Sequence, residues 1–295
     1  MQVQVQRTFS IWSKRSIKAL EQKFRIYFNI ATLIMRITEE ANDILTIKPF
    51  DNQHKGSREL HPDLPQPPMT LLLAGPKGAG KSSVILRLIY GNKKTQKCKP
   101  DNKHYKFYRH FFDKIYVFSP TWQLDDKTSR CRIPSDQIFE DADTYEEVLQ
   151  EIVAGQVEDI KEDGKENADH ILLIFSDLAG TKLYSNTKGI LNKIAFNHRH
   201  LKISSILDSQ GLRQINTAFR SNLSGIMIFS GITNRLEKNK IIEEFLGEYT
   251  EKEARQILKY IAEGSQYNFL YINMQQKGQL YKNFNRLSIS QGNEQ

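Results

Sequence analysis

Residues 75–82 have the types and the spacing that bind a nucleotide phosphate. The run GPKGAGKS matches the pattern G-x-x-x-x-G-K-[ST]. Its glycines allow a tight loop whose backbone N–H groups face phosphate oxygens, and the dipole of a following helix favours the same anion. In this pattern the lysine contacts the β- and γ-phosphates, and the serine hydroxyl ligates Mg²⁺.

The sequence on either side of this loop favours a nucleotide site over an accidental glycine turn. The apolar run Met69–Ala74 predicts a buried strand, and the apolar residues that follow Ser82 predict a helix. A phosphate-binding loop lies between such a strand and such a helix. The predicted nucleotide contacts are Gly75, Pro76, Lys77, Gly78, Ala79, Gly80, Lys81, Ser82 and Ser83, with Ser82 also a ligand of Mg²⁺.

Polar side chains next to two further predicted strands are candidates for catalysis. Asp177 follows the apolar run Ile171–Phe175, at the strand end where parallel sheets bind ligands, and we expect it to bind Mg²⁺ or polarise the attacking water. A cap on the next turn is the alternative for Asp177. Gln210 lies just beyond the strand at 203–207 and is a candidate to sense the γ-phosphate or to orient water. Arg199, just before that strand, is a candidate arginine finger for the nucleotide of a neighbouring subunit.

Alternating strands and helices must position these side chains. Apolar runs predict strands at residues 69–74, 114–119, 171–176, 203–207 and 225–230. Helical patterns lie between most of them, at 82–90, 144–154, 188–196 and 210–220, and two more follow at 235–246 and 251–263. We therefore predict an α/β fold with a mainly parallel central sheet flanked by helices, ending in a hairpin over residues 266–284.

Changes in composition divide the chain into segments. Four prolines within residues 62–68 predict a stiff, extended linker over residues 61–68. Residues 1–60 are predicted as a helical extension, whose basic pattern at 14–45 suits packing on the main domain or docking on a membrane surface, DNA or a capsid. The core is then predicted to span 69–250, followed by a terminal helix and hairpin over 251–295.

Composition excludes several classes of protein. The 295 residues are 39% apolar, enough for a folded core, and the net charge of +8 fits a polyanionic partner without requiring one. Cys98 and Cys131 form no CxxC pair, which argues against a disulfide framework or a thiolate zinc site. Because no uninterrupted apolar run reaches the roughly 18 residues of a membrane span, and no secretory signal is present, we expect an intracellular protein without stable membrane insertion.

The basic stretch at residues 103–112, which alternates with aromatic residues, is a candidate for binding DNA. Lys103, Lys106 and Arg109 have the charge needed to contact the phosphate backbone of any sequence. The alternative is that the aromatic side chains pack in the core while the lysines stay in solvent. The sequence leaves both interpretations open.

Together, five sequence blocks resemble the FtsK–HerA superfamily of P-loop ATPases. They are GPKGAGKS, KIYVFSPT, ILLIFSDLAG, FNHRHLKISSILDSQ, and FRSN followed by a strand and a Lys/Glu-rich helix. They are most similar to the genome-packaging ATPases of large DNA viruses such as poxviruses, and of virophages and Maverick/Polinton elements. The resemblance covers about residues 69–250 and implies an ASCE-type, RecA-like fold, with ATP and Mg²⁺ as cofactors.

The resemblance also implies an activity and residue roles. It implies a homo-oligomeric ring, a pentamer or hexamer, whose DNA-stimulated ATP hydrolysis drives double-stranded DNA into a procapsid. The partner is then a capsid or procapsid vertex protein, in the host cytoplasm or nucleus where virions assemble, or on the virion itself. Lys81 and Ser82 match the Walker A residues, Gln210 the polar sensor and Arg199 the trans-acting finger. Arg220, within FRSN, matches a second arginine near the site.

The chain departs from this family at the Walker B strand. The family usually ends that strand with two adjacent acids, the first for Mg²⁺ and the second for water activation. Here the pair is Ser176-Asp177, in which Asp177 matches the second acid, and a serine offers Mg²⁺-bound water a hydrogen bond but no charge. This departure predicts a weakened ATPase. The alternatives are a cellular FtsK- or HerA-like DNA pump, a nucleotide-binding ring subunit with impaired hydrolysis, and a small-molecule kinase.

Overall fold

A nine-stranded sheet organises the residues that this computed structural model describes, which are 60–90, 107–125, 128, 131–178 and 180–289. Its strands are β1 (Thr70–Ala74), β2 (Lys114–Phe118), β3 (Ile138–Phe139), β4 (Ile171–Phe175), β5 (Ile203–Ser209), β6 (Gly225–Phe229), β7 (Phe269–Asn273), β8 (Gln279–Lys282) and β9 (Asn285–Arg286). They lie side by side in the order β3-β2-β4-β5-β1-β6-β7-β8-β9.

The sheet is parallel from β3 through β6 and antiparallel from there to β9. The predicted α/β fold with a mainly parallel sheet is confirmed, and the predicted hairpin adds its strands to the same sheet through β7. The register places Ala74 opposite Ser209 and Phe175 opposite Leu207. The carboxyl ends of β1, β4 and β5 therefore meet at one edge of the sheet.

Helices cover both faces of this sheet. They are α1 (Lys81–Tyr90), α2 (Tyr145–Asp163), α3 (Lys182–Ser185), α4 (Ile190–Leu201), α5 (Thr217–Arg220), α6 (Arg235–Phe245) and α7 (Glu251–Ala262). Residues of α2, α4, α6 and α7 pack with Leu72, Phe175 and Leu207 in one apolar layer. Residues of α1 and the segment 107–112 pack with Leu73, Ile174 and Ile206 in the other. Because both faces are buried, the central strands are continuous apolar runs.

Three helix predictions were wrong in their extent. The helix predicted at 144–154 continues as α2 to Asp163. The helix predicted at 210–220 is instead a short 3₁₀ turn, Leu212–Gln214, followed by the four-residue α5. The Asn216 side chain starts α5 by accepting a hydrogen bond from the Phe219 N–H at 2.9 Å, as an N-cap does. The helix predicted at 188–196 continues as α4 to Leu201, where Lys202 ends it in a left-handed conformation. Arg199 therefore lies on the last turn of α4.

The proline-rich segment packs on the sheet. The Tyr271 hydroxyl donates to the Asp63 carbonyl at 2.7 Å, and the Tyr281 hydroxyl donates to the Asp63 carboxylate at 2.9 Å. The Tyr108 hydroxyl donates to the Pro65 carbonyl at 2.8 Å. This segment is thus hydrogen-bonded to β7, β8 and the segment 107–112. An extended linker between two units would not need such contacts.

Three aromatic side chains of the 103–112 stretch are part of the core. Tyr108, Phe111 and Phe112 are all buried, so their rings are not available to stack on bases. This finding favours the packing interpretation for the aromatic residues. Arg109 is partly exposed. Lys103 and Lys106 lie outside the described residues, as does the extension at 1–59.

Within the described ranges, no helix has the length and apolar character needed to cross a bilayer.

Candidate nucleotide site

The loop between β1 and α1 has the backbone conformation that its glycines permit. Gly78 and Gly80 have φ angles of +80° and +99°, in the left-handed region that side chains disfavour. Gly75 lies so close to Phe229 that a Cβ added at this glycine would stand 2.6 Å from the Phe229 Cβ. Helix α1 begins at Lys81, directly after the loop. The first N–H groups of α1 therefore adjoin the loop, as a phosphate site requires.

The Lys81 ammonium lies inside this loop. Its Nζ donates to the Gly75 carbonyl at 2.8 Å and to the Pro76 carbonyl at 3.1 Å. Burial lowers the pKa of Lys81, and the negative charges of Asp208 and Asp177 oppose that change. The ammonium is thus held within the loop, and the charges of Asp208 and Asp177 favour its protonated form.

Three polar residues meet where β4 and β5 end. The Ser176 hydroxyl donates to Asp208 Oδ2 at 2.6 Å, and the Asp177 backbone N–H donates to Asp208 Oδ1 at 3.1 Å. Asp208 is only 6% exposed. Burial raises the pKa of the Asp208 carboxyl, while the two hydrogen bonds and the charge of Lys81 act against that rise. The Tyr184 hydroxyl donates to the Asp208 backbone carbonyl at 3.0 Å, which helps to fix the backbone at this end of β5.

Asp177 directs its carboxylate to the other side of this cluster. Its φ of +57° is left-handed, a conformation that aspartate and asparagine adopt more readily than most residues. The Thr121 hydroxyl donates to Asp177 Oδ2 at 3.3 Å. Because Thr121 follows β2 and Asp208 lies on β5, Asp177 is hydrogen-bonded on both sides of β4, through its carboxylate on the β2 side and its backbone N–H on the β5 side.

These groups line one cleft with a volume of about 600 Å³. Its wall contains the loop residues Lys77–Ser83, together with Ser119, Thr121, Trp122, Asp125, Ser176, Asp177, Asp208, Ser209, Gln210, Phe229 and Tyr267. Tyr267 is 56% exposed, and its ring lies beside Gly80 at the rim of the cleft. The cleft thus combines a phosphate loop, carboxylates and an accessible aromatic ring.

Gln210 lies at the end of β5, where its backbone N–H donates to Gln214 Oε1 at 3.2 Å. The same Gln214 oxygen accepts a hydrogen bond from the Ser209 hydroxyl at 2.8 Å. Gln214 therefore fixes the backbone that presents Gln210 to the cleft. Gln214 makes these contacts because residues 212–214 form a 3₁₀ turn and not the predicted helix at 210–220.

Comparison with other proteins identifies the fold. No protein-family model matches the chain, and no curated protein sequence matches it. The genome packaging NTPase B204 from Sulfolobus turreted icosahedral virus 2, in complex with sulfate, is 15% identical, covers 74% of this chain and 97% of its own, and has a TM-score of 0.50. The DNA-packaging ATPase B204 from Sulfolobus turreted icosahedral virus is 16% identical, covers 74% and 97%, and has a TM-score of 0.50.

This chain has a P-loop NTPase fold. The fold that the sequence resemblance implied is confirmed, and the two solved structures described above that share it are named as viral packaging enzymes. In this fold, β1, the loop at 75–80 and α1 stand where P-loop NTPases bind phosphate, and β4 stands where they carry the Walker B acids. Strand β5 lies between β4 and β1. Asp208 is therefore on the strand that separates Asp177 from the loop at 75–80.

The donor set of the P-loop NTPase site fits Mg²⁺. The hydroxyls of Ser82 and Ser176 and the carboxylates of Asp177 and Asp208 all line the cleft, and such hard oxygen donors suit this ion. No group of three or more His, Cys, Asp or Glu side chains in the described ranges is arranged as a metal site of its own. Mg²⁺ is usually bound by one or two carboxylates together with substrate phosphates and waters, and this cleft offers that combination.

The two candidate arginines lie away from this cleft. Arg199 is exposed on the last turn of α4. Arg220 is buried, with its Nε and Nη2 each 2.7 Å from a carboxylate oxygen of Glu244. Its Nη1 donates to the carbonyls of Leu212, at 2.9 Å, and Ile215. The guanidinium of Arg220 is thus engaged within its own subunit, whereas that of Arg199 faces outward.

Several residues of this site were not predicted from the sequence, among them Asp208 and Tyr267. Asp208 is the one charged residue of the fully buried strand β5, two residues before Gln210, and a carboxylate inside a buried strand is a signal that the sequence offers. Tyr267 has no comparable signal. It precedes β7, far along the chain from the P-loop, and only the pairing of β7 with β6 brings its ring to the cleft.

Proposed function

We propose that this chain is an ATPase that translocates double-stranded DNA, and that it packages DNA into a procapsid. The observation that carries the proposal is the convergence of Lys81, Asp177 and Gln210 on one cleft at the carboxyl edge of the sheet. A phosphate-binding loop, an acid and a polar strand-end side chain are the groups that hydrolysis of a nucleoside triphosphate needs.

Each group has a defined task in this proposal. Lys81 exchanges its loop carbonyl contacts for the β- and γ-phosphate oxygens. Asp177 accepts a hydrogen bond from the attacking water and orients this water. The Thr121 hydroxyl donates to Asp177 Oδ2 and holds the carboxylate in place. Gln210 contacts the γ-phosphate or that water from the end of β5. Mg²⁺, when bound with the phosphates at Ser82, neutralises the charge that develops on them.

Hydrolysis in a ring further requires a group from the neighbouring subunit, and we assign that part to Arg199. Arg199 is exposed on α4, and Phe196, one turn earlier on the same face, is 55% exposed. An arginine beside an exposed aromatic ring is a combination enriched at protein interfaces. A second copy of the chain would cover both, forming the pentamer or hexamer that the resemblance implies.

The packaging role rests on the resemblance and on two solved structures with this fold. These two structures are named as viral genome-packaging enzymes. DNA as the substrate and a capsid or procapsid vertex protein as the docking partner come to this chain from those similarities. The basic residues Lys103, Lys106 and Arg109 are proposed to contact the DNA backbone.

Measurement of ATP hydrolysis with and without double-stranded DNA tests the proposal. We expect Mg²⁺-dependent turnover that duplex DNA stimulates. DNA-independent transfer of phosphate to a small acceptor would instead support a kinase, and binding without turnover a ring subunit with impaired hydrolysis. Nuclease-protected DNA inside purified procapsids, dependent on this chain and ATP, would then distinguish packaging from the activity of a cellular DNA pump.

A further inference from the structure

A carboxylate on the neighbouring strand β5 can replace the acid that is missing at Ser176. Ser176 stands where a carboxylate for Mg²⁺ is expected, and its hydroxyl donates to Asp208 Oδ2 at 2.6 Å. A carboxylate therefore lies one hydrogen bond away from the position that lost its charge. Because β5 adjoins both β4 and β1, this carboxylate is also on the P-loop side of Asp177.

Asp208 is a buried carboxylate whose hydrogen-bond donors are uncharged. It is 6% exposed, and its two carboxylate hydrogen bonds come from the uncharged Ser176 hydroxyl and Asp177 N–H. A buried carboxylate is costly unless a positive charge offsets it. The charge of the Lys81 ammonium acts on Asp208 across the cleft, but this ammonium donates to the carbonyls of its own loop. Each Asp208 oxygen accepts only one of these hydrogen bonds and keeps a lone pair for a further partner.

We propose that Asp208, oriented by Ser176 and the Asp177 backbone, supplies the carboxylate for Mg²⁺ in place of the missing Walker B acid. The proposal rests on the proposed function and deepens it. Asp208 then binds the ion or one of its waters, and Asp177 remains free for the attacking water. The acidic pair of the site is thus built across two adjacent strands, with one acid at the end of each.

The test separates metal dependence from catalysis by measuring the affinity for a slowly hydrolysed analogue, ATPγS. Calorimetric titrations in Mg²⁺ and in EDTA report how strongly the ion tightens nucleotide binding. We expect Asp208→Asn to lose roughly 10–100-fold of the affinity measured in Mg²⁺, the range for disrupting support of a metal site, with no loss in EDTA. Asparagine keeps the shape of the side chain and one acceptor for Ser176.

Two further variants make the result decisive. Asp63→Asn removes a carboxylate that also accepts a hydroxyl hydrogen bond, from Tyr281, but outside the cleft, and it should keep the Mg²⁺ effect. The exchange Ser176→Asp/Asp208→Ser places the acid on β4 and the hydroxyl on β5, and it should recover most of the effect. This exchange decides the matter if Asp208→Asn does not fold, as judged by thermal melting.

The outcomes distinguish this inference from the proposed function. A folded Asp208→Asn chain with an unchanged Mg²⁺ effect would overturn the role of Asp208 while leaving the ATPase proposal intact. A folded exchange variant that recovers nothing would do the same. A wild-type chain that binds no ATPγS in either buffer would overturn the proposed function and this inference together.

Discussion

Arg220 on α5 and Glu244 on α6 form a bidentate ion pair, with two N–O distances of 2.7 Å. Because the other guanidinium nitrogen donates to the carbonyls of Leu212 and Ile215, which precede α5, Arg220 joins α5, α6 and the turn at 212–214. The family resemblance placed Arg220 near the nucleotide, but its contacts are those of a structural residue. Arg199 is the better candidate for the trans-acting finger.

Arg220→Ala should therefore lower the free energy of unfolding. We expect a loss of roughly 3 kcal/mol, at the lower end for a broken buried ion pair, because Glu244 keeps contact with solvent. Denaturant titration measures this loss, and ATP hydrolysis per folded molecule should change little. A variant that keeps wild-type stability but loses hydrolysis would return Arg220 to the list of catalytic candidates.

The Arg220–Glu244 pair also predicts a pH dependence. Burial alone would raise the pKa of Glu244, but the hydrogen bonds and charge of Arg220, with a smaller contribution from Lys240, leave that pKa below its ordinary value of 4.5. The stabilisation is therefore complete above that value and is lost as the pH falls through the folded pKa. Glu244→Gln should be less stable than wild type at neutral pH, and this difference should shrink on acidification. A difference independent of pH would contradict this assignment.

Lys81→Ala should remove nucleotide-dependent activity while leaving the glycine loop in place. The loss of the only lysine that the P-loop motif assigns to the phosphates should reduce kcat/KM by roughly 100-fold or more. Trp122 lines the cleft, so in a Trp12→Phe background its fluorescence should report nucleotide binding directly. Lys161→Ala, which removes an exposed lysine from α2, is the matched control. Hydrolysis at the parent rate in Lys81→Ala would show that residues 75–82 are not the nucleotide loop.

Asp177→Asn should bind ATP with near wild-type affinity and fail to hydrolyse it, since an amide does not polarise the attacking water. The left-handed backbone at this position suits asparagine, so the substitution should not disturb the loop. Ser176→Asp alone should not raise turnover, because it would place a second carboxylate against Asp208. Single-turnover hydrolysis and nucleotide titration measure both effects. Retained hydrolysis in Asp177→Asn would assign water activation elsewhere.

Arg199→Ala should bind ATP normally and lose most of its hydrolysis if the guanidinium acts on a neighbouring subunit. Mixing this variant with Lys81→Ala should restore activity at interfaces that pair an intact P-loop with an intact Arg199. Arg199→Lys should not rescue the loss, since a lysine lacks the planar fork that contacts two phosphate oxygens. Mixed assemblies that form but recover no activity would argue against a trans-acting Arg199.

Replacing Lys103, Lys106 and Arg109 by alanine should weaken binding of duplex DNA and flatten its salt dependence. The log–log slope should change by roughly one for each lost phosphate contact. A control with Lys161, Lys188 and Lys277 replaced removes the same charge from exposed positions elsewhere in the chain. Equal changes in the two variants would show that net charge, rather than a DNA path through this stretch, determines the binding.

Elements with local signals could be predicted from the sequence. The P-loop pattern, the apolar strands and most helices depend on residues close together in the chain, and the order of the blocks is enough to indicate the fold. The helix predicted at 210–220 failed for an equally local reason, since the Asn216 cap and the turn before it start a new, shorter helix.

Which side chains meet depends on the folded arrangement of the strands and helices. Ser176 and Asp208 are 32 residues apart and touch because β5 is inserted next to β4, and Arg220 and Glu244 are 24 residues apart and pair through the packing of α5 and α6. Tyr267 reaches the P-loop only because β7 adds to the sheet beside β6. Spacing along the chain carries no information on strand order, so contacts across adjacent strand ends follow only from the folded arrangement.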